Sequence, residues 1–259
     1  WNFSIDTTLS YGASWRVEDR DDRLVGKANI NPLVGALPFE QRLAAPGRWS
    51  NNSDNGNLNY DKGDLISNAA KFTSDIAFSY KDWGGFFRVT GFYDFENADN
   101  NKLSDVAKDF VGERFRLLDA YVYKDFSVGE HYGSVRLGRQ VVSWGESTFI
   151  QQGINVINPI DVSKIRVAGA ELKEAFLPID MLSFSFDLTD NLSMEAVYMF
   201  EFEQTDPDPM GTYFSNNDFA TPGAEYVSLN FGTVPELYNL GQFMNVPGLE
   251  SLSSGIIQA

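Results

Sequence analysis

The sequence predicts an all-β protein: a transmembrane antiparallel β-barrel, here the amino-terminal portion of a larger one, with long loops and inward plug segments. Three observations predict it. Extended stretches alternate apolar and polar side chains over spans longer than the roughly 5–6 residues of an ordinary strand. Aromatic residues make up 14% of the chain, with 21 Phe, yet the mean hydropathy is −0.26. No apolar run reaches the about 18 residues that a helical membrane span requires. A barrel reconciles these, because it turns apolar side chains to lipid and polar ones to its lumen.

The first stretch is the clearest. Phe3, Ile5, Thr7, Leu9, Tyr11, Ala13, Trp15 and Val17 alternate with Asn2, Ser4, Asp6, Thr8, Ser10, Gly12, Ser14 and Arg16. A tilted strand crosses a bilayer in about 9–11 residues, so this one crosses and projects. Residues 18–64 are rich in Asn, Asp and Gly and read as a long loop. Phe72, Ile76, Phe78 and Tyr80 then alternate with Thr73, Asp75, Ser79 and Lys81. After Asp82-Trp83-Gly84-Gly85, which reads as the turn of a hairpin, Phe87, Val89, Gly91, Tyr93 and Phe95 alternate with Arg88, Thr90, Asp94 and Glu96. Phe86 and Phe92 break the polar row.

Two mixed strands follow, at 114–126 and 132–144, with imperfect alternation around Leu118, Asp119 and Arg139. Residues 145–170 read as a loop or plug. The last hairpin turns at Asp190-Asn191, a pair that tolerates left-handed backbone. Leu182, Phe184, Phe186 and Leu188 precede the turn, and Leu192, Met194, Ala196 and Tyr198 follow it. Residues 206–259 are rich in Pro, Gly and Asn and read as a loop region of the same single barrel domain. The count of about seven strands is odd and small for a closed barrel, and Ile256–Ala259 lacks an amphipathic strand with an aromatic end, so further strands are expected to complete the wall. The abrupt start at Trp1 is what a mature or trimmed product would show.

Charge and composition exclude several classes. The net charge of −16 argues against nucleic acid, which needs clustered Lys and Arg. It argues equally against a polybasic membrane-surface protein. The absence of cysteine fits an envelope protein.

Several stretches resemble one proteobacterial outer-membrane family, catalogued as domain of unknown function thirteen-hundred-and-two. They are residues 136–147 (RLGRQVVSWGES), Asn155 to Asp161 (NVINPID), Gly169 to Glu174 (GAELKE), Pro209 to Phe214 (PMGTYF), Asp6 to Gly12 and Asn57 to Asp64. Members of that family run to about twice this length, and the remaining half would supply the missing strands. The resemblance implies a place in the bacterial outer membrane, contact with membrane lipid, and association with an inner-membrane transporter of the resistance-nodulation-division (RND) type together with periplasmic accessory proteins. It also implies transport of hydrophobic or amphipathic molecules. It names no catalytic residue and no cofactor.

Candidate sites follow from parity. Arg88, Arg114, Arg116 and Arg136 stand opposite Phe87, Val89, Phe115, Leu117, Val135 and Leu137, so they are expected to form a lumen-facing basic row that contacts an anionic group. The competing reading is a structural ladder neutralised by Asp75, Asp94 and Glu96. Trp1, Trp15, Tyr80, Trp83, Tyr93, Tyr121, Tyr123 and Trp144 are expected in interfacial girdles. Asp54, Asn57, Asn59, Asp61 and Asp64 offer oxygens suited to Ca²⁺, but the spacing departs from an EF-hand loop, so Asx turns are expected and no metal site. Asn158-Pro159 is expected to open a short helix with Asp161 in its first turn. Glu171, Lys173 and Glu174 would dock that plug or gate on the wall. His131, the one histidine, falls in a turn-like Gly129-Glu130-His131-Tyr132-Gly133. No catalytic pattern surrounds it, so the chain is not expected to be an enzyme or to hold a cofactor. The function expected is a conduit for a lipid-like substrate. The alternatives are a general porin for small polar solutes, a lipid-modifying enzyme, or a scaffold of an envelope complex.

Overall fold

A computed structural model of the chain describes residues 1–144, 157–167, 169–224, 226–235 and the backbone of 256–258. Seven strands form one sheet in chain order, an antiparallel meander. They are β1 (Asn2–Trp15), β2 (Leu65–Tyr80), β3 (Trp83–Asp94), β4 (Glu113–Val128), β5 (His131–Gln140), β6 (Ile179–Thr189) and β7 (Leu192–Met199). The last hairpin turns at Asp190-Asn191 as expected, with Thr189 opposite Leu192.

The β2–β3 turn differs from its expected place. It falls on Lys81-Asp82, with Lys81 at φ 51°, and Gly84 and Gly85 already lie in β3. These glycines serve close approach rather than a bend. A Cβ on Gly84 would stand 2.3 Å from the Tyr123 ring, and one on Gly85 would stand 2.5 Å from Phe78.

The chain divides into two compact units. The first comprises Trp1–Gly12, Ala69–Tyr93 and Arg114–Asp206. Its sheet has two unlike faces. Phe3 (68% exposed), Leu9 (79%), Phe115 (70%) and Tyr198 (67%) stand bare on one. On the other, Lys71 and Thr73 are buried, Arg88, Arg114 and Arg116 are half-buried, and Arg136 is exposed. Cross-strand pairing carries the apolar face onward as Val122–Leu137–Leu182–Tyr198 and Val135–Phe184–Ala196. Phe126, Phe184 and Phe186 cluster on it, with every pair of ring centres 6.1–6.2 Å apart.

The imperfect alternation in β4 has a structural cause. Phe115 and Leu117 are exposed at odd positions, Val122 and Lys124 at even ones, and Leu118 and Asp119 between them are consecutively buried. A strand that buries two neighbours has gained one residue, as at a bulge, and its faces exchange parity there. Tyr121 and Tyr123 therefore join the polar face and not the expected girdle. Tyr121 lies under the Arg136 guanidinium at 5.4 Å and against Phe86 at 5.7 Å.

The second unit comprises Ala13–Asn68, Asp94–Glu113 and Pro207–Ala259. The expected long loops are folded here, with short helices α1 (Lys27–Ile30), α2 (Phe39–Ala44), α3 (Asn55–Leu58) and α4 (Asp105–Val111). Ser104 caps α4, which presents Ala107 and Val111 to Leu103 and Phe110 in a small core. Asp94 is not an arginine counter-ion. Its carboxylate accepts from Ser67 Oγ (2.5 Å), the Asn68 N–H (3.1 Å) and the Asn97 N–H (3.1 Å), and so ties the start of β2 to the turn after β3. The Asp54–Asp64 stretch disperses its oxygens: Asp61 pairs with Arg20 at 2.6 Å, Asp64 accepts from the Asp61 N–H, and Asn59 donates to the Gly211 carbonyl. Asp54 instead faces Asp218, whose carboxyl burial and the Asp54 charge push up to about 6. A short strand β8 (Tyr226–Ser228) pairs with β9 (Ile256–Gln258). Residues 145–156, within the expected plug, and 236–255, within the expected terminal loop, lie outside the described residues.

Candidate functional site

The expected plug and half of the expected basic row meet in the first unit. The plug carries helices α5 (Val162–Arg166) and α6 (Leu172–Ala175). Its base is a narrow ladder: the Asp161 N–H donates to the Ala175 carbonyl (2.8 Å) and the Leu177 N–H to that of Pro159 (2.9 Å). Asp206 adds a third rung, donating to Ile160 and accepting from Val162, both at 2.9 Å. Asn158 pins this base to the end of β5. Its Nδ2 donates to the carbonyls of Gln140 and Leu177, and its Oδ1 accepts from the Val142 N–H. Asn158 is thus an anchor and does not open a helix.

Asp161 stands one step earlier than expected, as the N-cap of α5 rather than in its first turn. Its Oδ1 accepts from the Ser163 N–H (3.1 Å) and Oγ (2.5 Å), which satisfies a helix end that would otherwise be unpaired. Its other oxygen faces Arg116 Nη1 at 3.5 Å and Arg114 Nη1 at 3.7 Å. The carboxylate is fully buried, so both arginines act on it across a poorly screened space.

Glu174 makes the second attachment. It closes a capping box with Glu171 and reaches Lys71 Nζ (2.5 Å) and Thr73 Oγ1 (2.7 Å) on β2. Burial alone would raise its carboxyl, but the Lys71 and Thr73 hydrogen bonds outweigh that and hold it below the ordinary glutamate value. Glu171 and Lys173 pair with each other at 2.9 Å, and the Lys173 charge also reaches Asp75 on β2.

Lys164, on α5, lies at the same junction. Its ammonium sits 3.6 Å from the centre of the Phe92 ring. Burial drives it down to about 7; Asp161 opposes that shift, while Arg114 and Arg116 add to it. Asp206 stands 4.0 Å from Arg116, its carboxyl raised by burial and by Asp161. Four cations (Lys71, Arg114, Arg116, Lys164) and three carboxylates (Asp161, Glu174, Asp206) thus converge where the plug meets the sheet. A cavity of about 30 Å³ remains among them, floored by Thr90, Phe92, Leu118 and Val167. It holds little more than one water.

The other half of the row stays on the wall. Arg88 grips Asp75 with two bonds of 2.7 and 2.8 Å and reaches Asp119 at 3.3 Å, above the Phe86 ring. Arg136 overlies Tyr121. An open groove of about 530 Å³ runs beside them, lined by Phe3, Phe78 and Phe86 as well as Ser79, Asp125 and Arg136. His131 opens β5 and lies edge-on to Phe186 at 6.4 Å.

Sequence reasoning missed Lys71, Lys164, Asp119 and Asp206. Two signals were present. Phe86 and Phe92 interrupt the polar row because each carries a cation on its face, Arg88 and Lys164. Lys71 shares the parity of Thr73 and Asp75 and belongs to the same strand, which begins at Leu65 and not at Phe72.

No curated protein and no solved structure matches this chain. The family described as a protein of unknown function, DUF1302, has a model that matches residues 1–256, nearly the whole chain. The sequence motifs, the meander of long strands and that match agree, and the chain belongs to the DUF1302 family.

Proposed function

We propose that the chain forms part of the wall of a bacterial outer-membrane barrel that conducts a hydrophobic or amphipathic, lipid-like molecule, in concert with an inner-membrane RND-type transporter and periplasmic accessory proteins. One observation carries the membrane placement: the β1–β7 sheet leaves a continuous apolar, aromatic face bare while its opposite face is polar and ion-paired. Contiguous apolar surface on this scale demands an apolar partner. Hydrocarbon is one that suits strands of 14 and 16 residues.

The dedicated-conduit reading is supported by the plug. Two ion-paired attachments hold α5–α6 to the polar face and leave room for about one water at their junction. A pathway stoppered this way suits gated passage better than free diffusion. The open groove beside Arg136 favours the second reading, a general porin. Full-length protein in planar bilayers separates the two. A dedicated conduit stays silent at rest, opens when Asp161→Asn weakens the latch, and speeds transfer of a fluorescent fatty-acid analogue between vesicles. A large, steady, unselective conductance in the unaltered protein would establish the porin instead.

A further inference from the structure

The second unit buries two carboxylates beside each other. Asp54 is 0% exposed and Asp218 is 1% exposed. The Gly26 N–H and Asn29 Nδ2 donate to Asp54 Oδ2 at 2.6 and 3.0 Å. The N–H groups of Asp54 and Asn55 donate to Asp218 Oδ2 at 2.8 and 3.3 Å. Asn51, also 0% exposed, closes the same corner. Its Nδ2 donates to the Val234 carbonyl at 2.6 Å, and its Oδ1 lies only 2.0 Å from where a Cβ on Gly26 would begin. Gly26 is required there because any side chain would strike that oxygen.

Two of these buried oxygens, Asn51 Oδ1 and Asp218 Oδ1, have no hydrogen-bond partner among the described residues. Buried polar atoms are normally paired, and buried carboxylates normally have a counter-charge. Arg48, the cation that acts on Asp218, spends its Nη1 on Ser53 Oγ at 2.6 Å. The corner is thus rich in oxygen and closed to solvent.

We propose that Asn51, Asp54 and Asp218 form a binding site for a divalent cation, Ca²⁺. The donor set is oxygen alone, two carboxylates and a side-chain amide, which selects a hard cation over a thiophilic one. The chain has no cysteine, and its one histidine lies in β5. No trio of His, Cys, Asp or Glu gathers among the described residues, so the amide and neighbouring carbonyls complete the shell, as Ca²⁺ accepts and the stricter octahedral Mg²⁺ resists. A bound ion would tie the turn at Gly26, the 51–55 segment and the distant Asp218 into one knot.

The test uses full-length protein extracted in detergent and stripped with EGTA. CaCl₂ and MgCl₂ are titrated by calorimetry, and Tm is followed in parallel. The site predicts about one tight Ca²⁺ per chain, a rise in Tm, and weaker Mg²⁺ binding. Asp218→Asn keeps the acceptor for the two N–H groups but should weaken Ca²⁺ binding at least about tenfold, the loss that even an outer partner can cause. Asn51→Ala, which deletes the unpaired oxygen, should do the same, whereas Asp61→Asn in the exposed pair with Arg20 should leave binding unchanged. Absence of Ca²⁺ binding by the unaltered chain would overturn the site. So would equal affinity in Asp218→Asn or Asn51→Ala, which would assign the ion to carried-over lipopolysaccharide.

Discussion

Lys71 and Glu174 hold the plug by the pair whose loss should be felt most. Their side chains are 6% and 8% exposed, so removing one leaves a poorly solvated charge without its nearest counter-ion. Lys71→Met should cost about 3–5 kcal/mol in unfolding experiments on detergent-refolded protein. The double variant Lys71→Met/Glu174→Leu should recover most of that. Equal losses in the single and double variants would show that the charges do not act as a pair. Lys164 adds a pH dependence. Its docked ammonium titrates at about 7, against an ordinary 10.5 once released. Between those values the released plug binds the extra proton, so docking grows firmer as pH rises and its penalty is complete below 7. Bilayer openings should become rarer from pH 7 to pH 10, and Lys164→Met should abolish the trend. An identical profile in Lys164→Met would assign it to another group. Arg114, Arg116, Asp161 and Glu174 were legible in the sequence through parity and clustering. Lys164 and Asp206 were not, because nothing local marks which face of a short helix or a loop will meet a strand 72 or 90 residues away.

Among the elements, β4 and β5 show where a periodic reading fails and why. The parity of β4 changes at Leu118–Asp119, and Gly138 faces that region from β5 at φ 127°. A Cβ on Gly138 would lie 2.4 Å from the Ala120 carbonyl oxygen. The backbone conformation and the contact both require glycine. Gly138→Ala should destabilise the folded protein by about 1–3 kcal/mol from backbone strain alone. The heat-induced mobility shift of the folded form in gels should then occur at a lower temperature. An unchanged shift would mean that β5 relaxes there freely. Strands with strict alternation were legible throughout, as β1 and the β6–β7 hairpin show. A single inserted residue inverts every later side chain, and a two-residue periodicity contains no warning of it. The turn at Lys81-Asp82 was misplaced for a related reason: Gly84-Gly85 resembles turn chemistry, yet those residues are glycine to admit Tyr123 and Phe78.

For the molecule as a whole, the sequence foretold the two-faced sheet and the family, while the folding of the long loops came only with the structure. Residues 18–64 hold their shape through side-chain bonds to distant backbone, such as Asn51 to Val234 and Asn52 to Ser228, which composition cannot disclose. The central claim is that the bare apolar face of the sheet meets hydrocarbon. The chain has no cysteine, so single substitutions along β1 can be spin-labelled without background. Leu9→Cys, Ser10→Cys, Tyr11→Cys and Gly12→Cys, placed in the full-length protein in bilayers, should alternate. Labels at positions 9 and 11 should collide with membrane-dissolved oxygen, and labels at 10 and 12 with a water-soluble nickel chelate. Equal access of the chelate to all four positions would contradict the account.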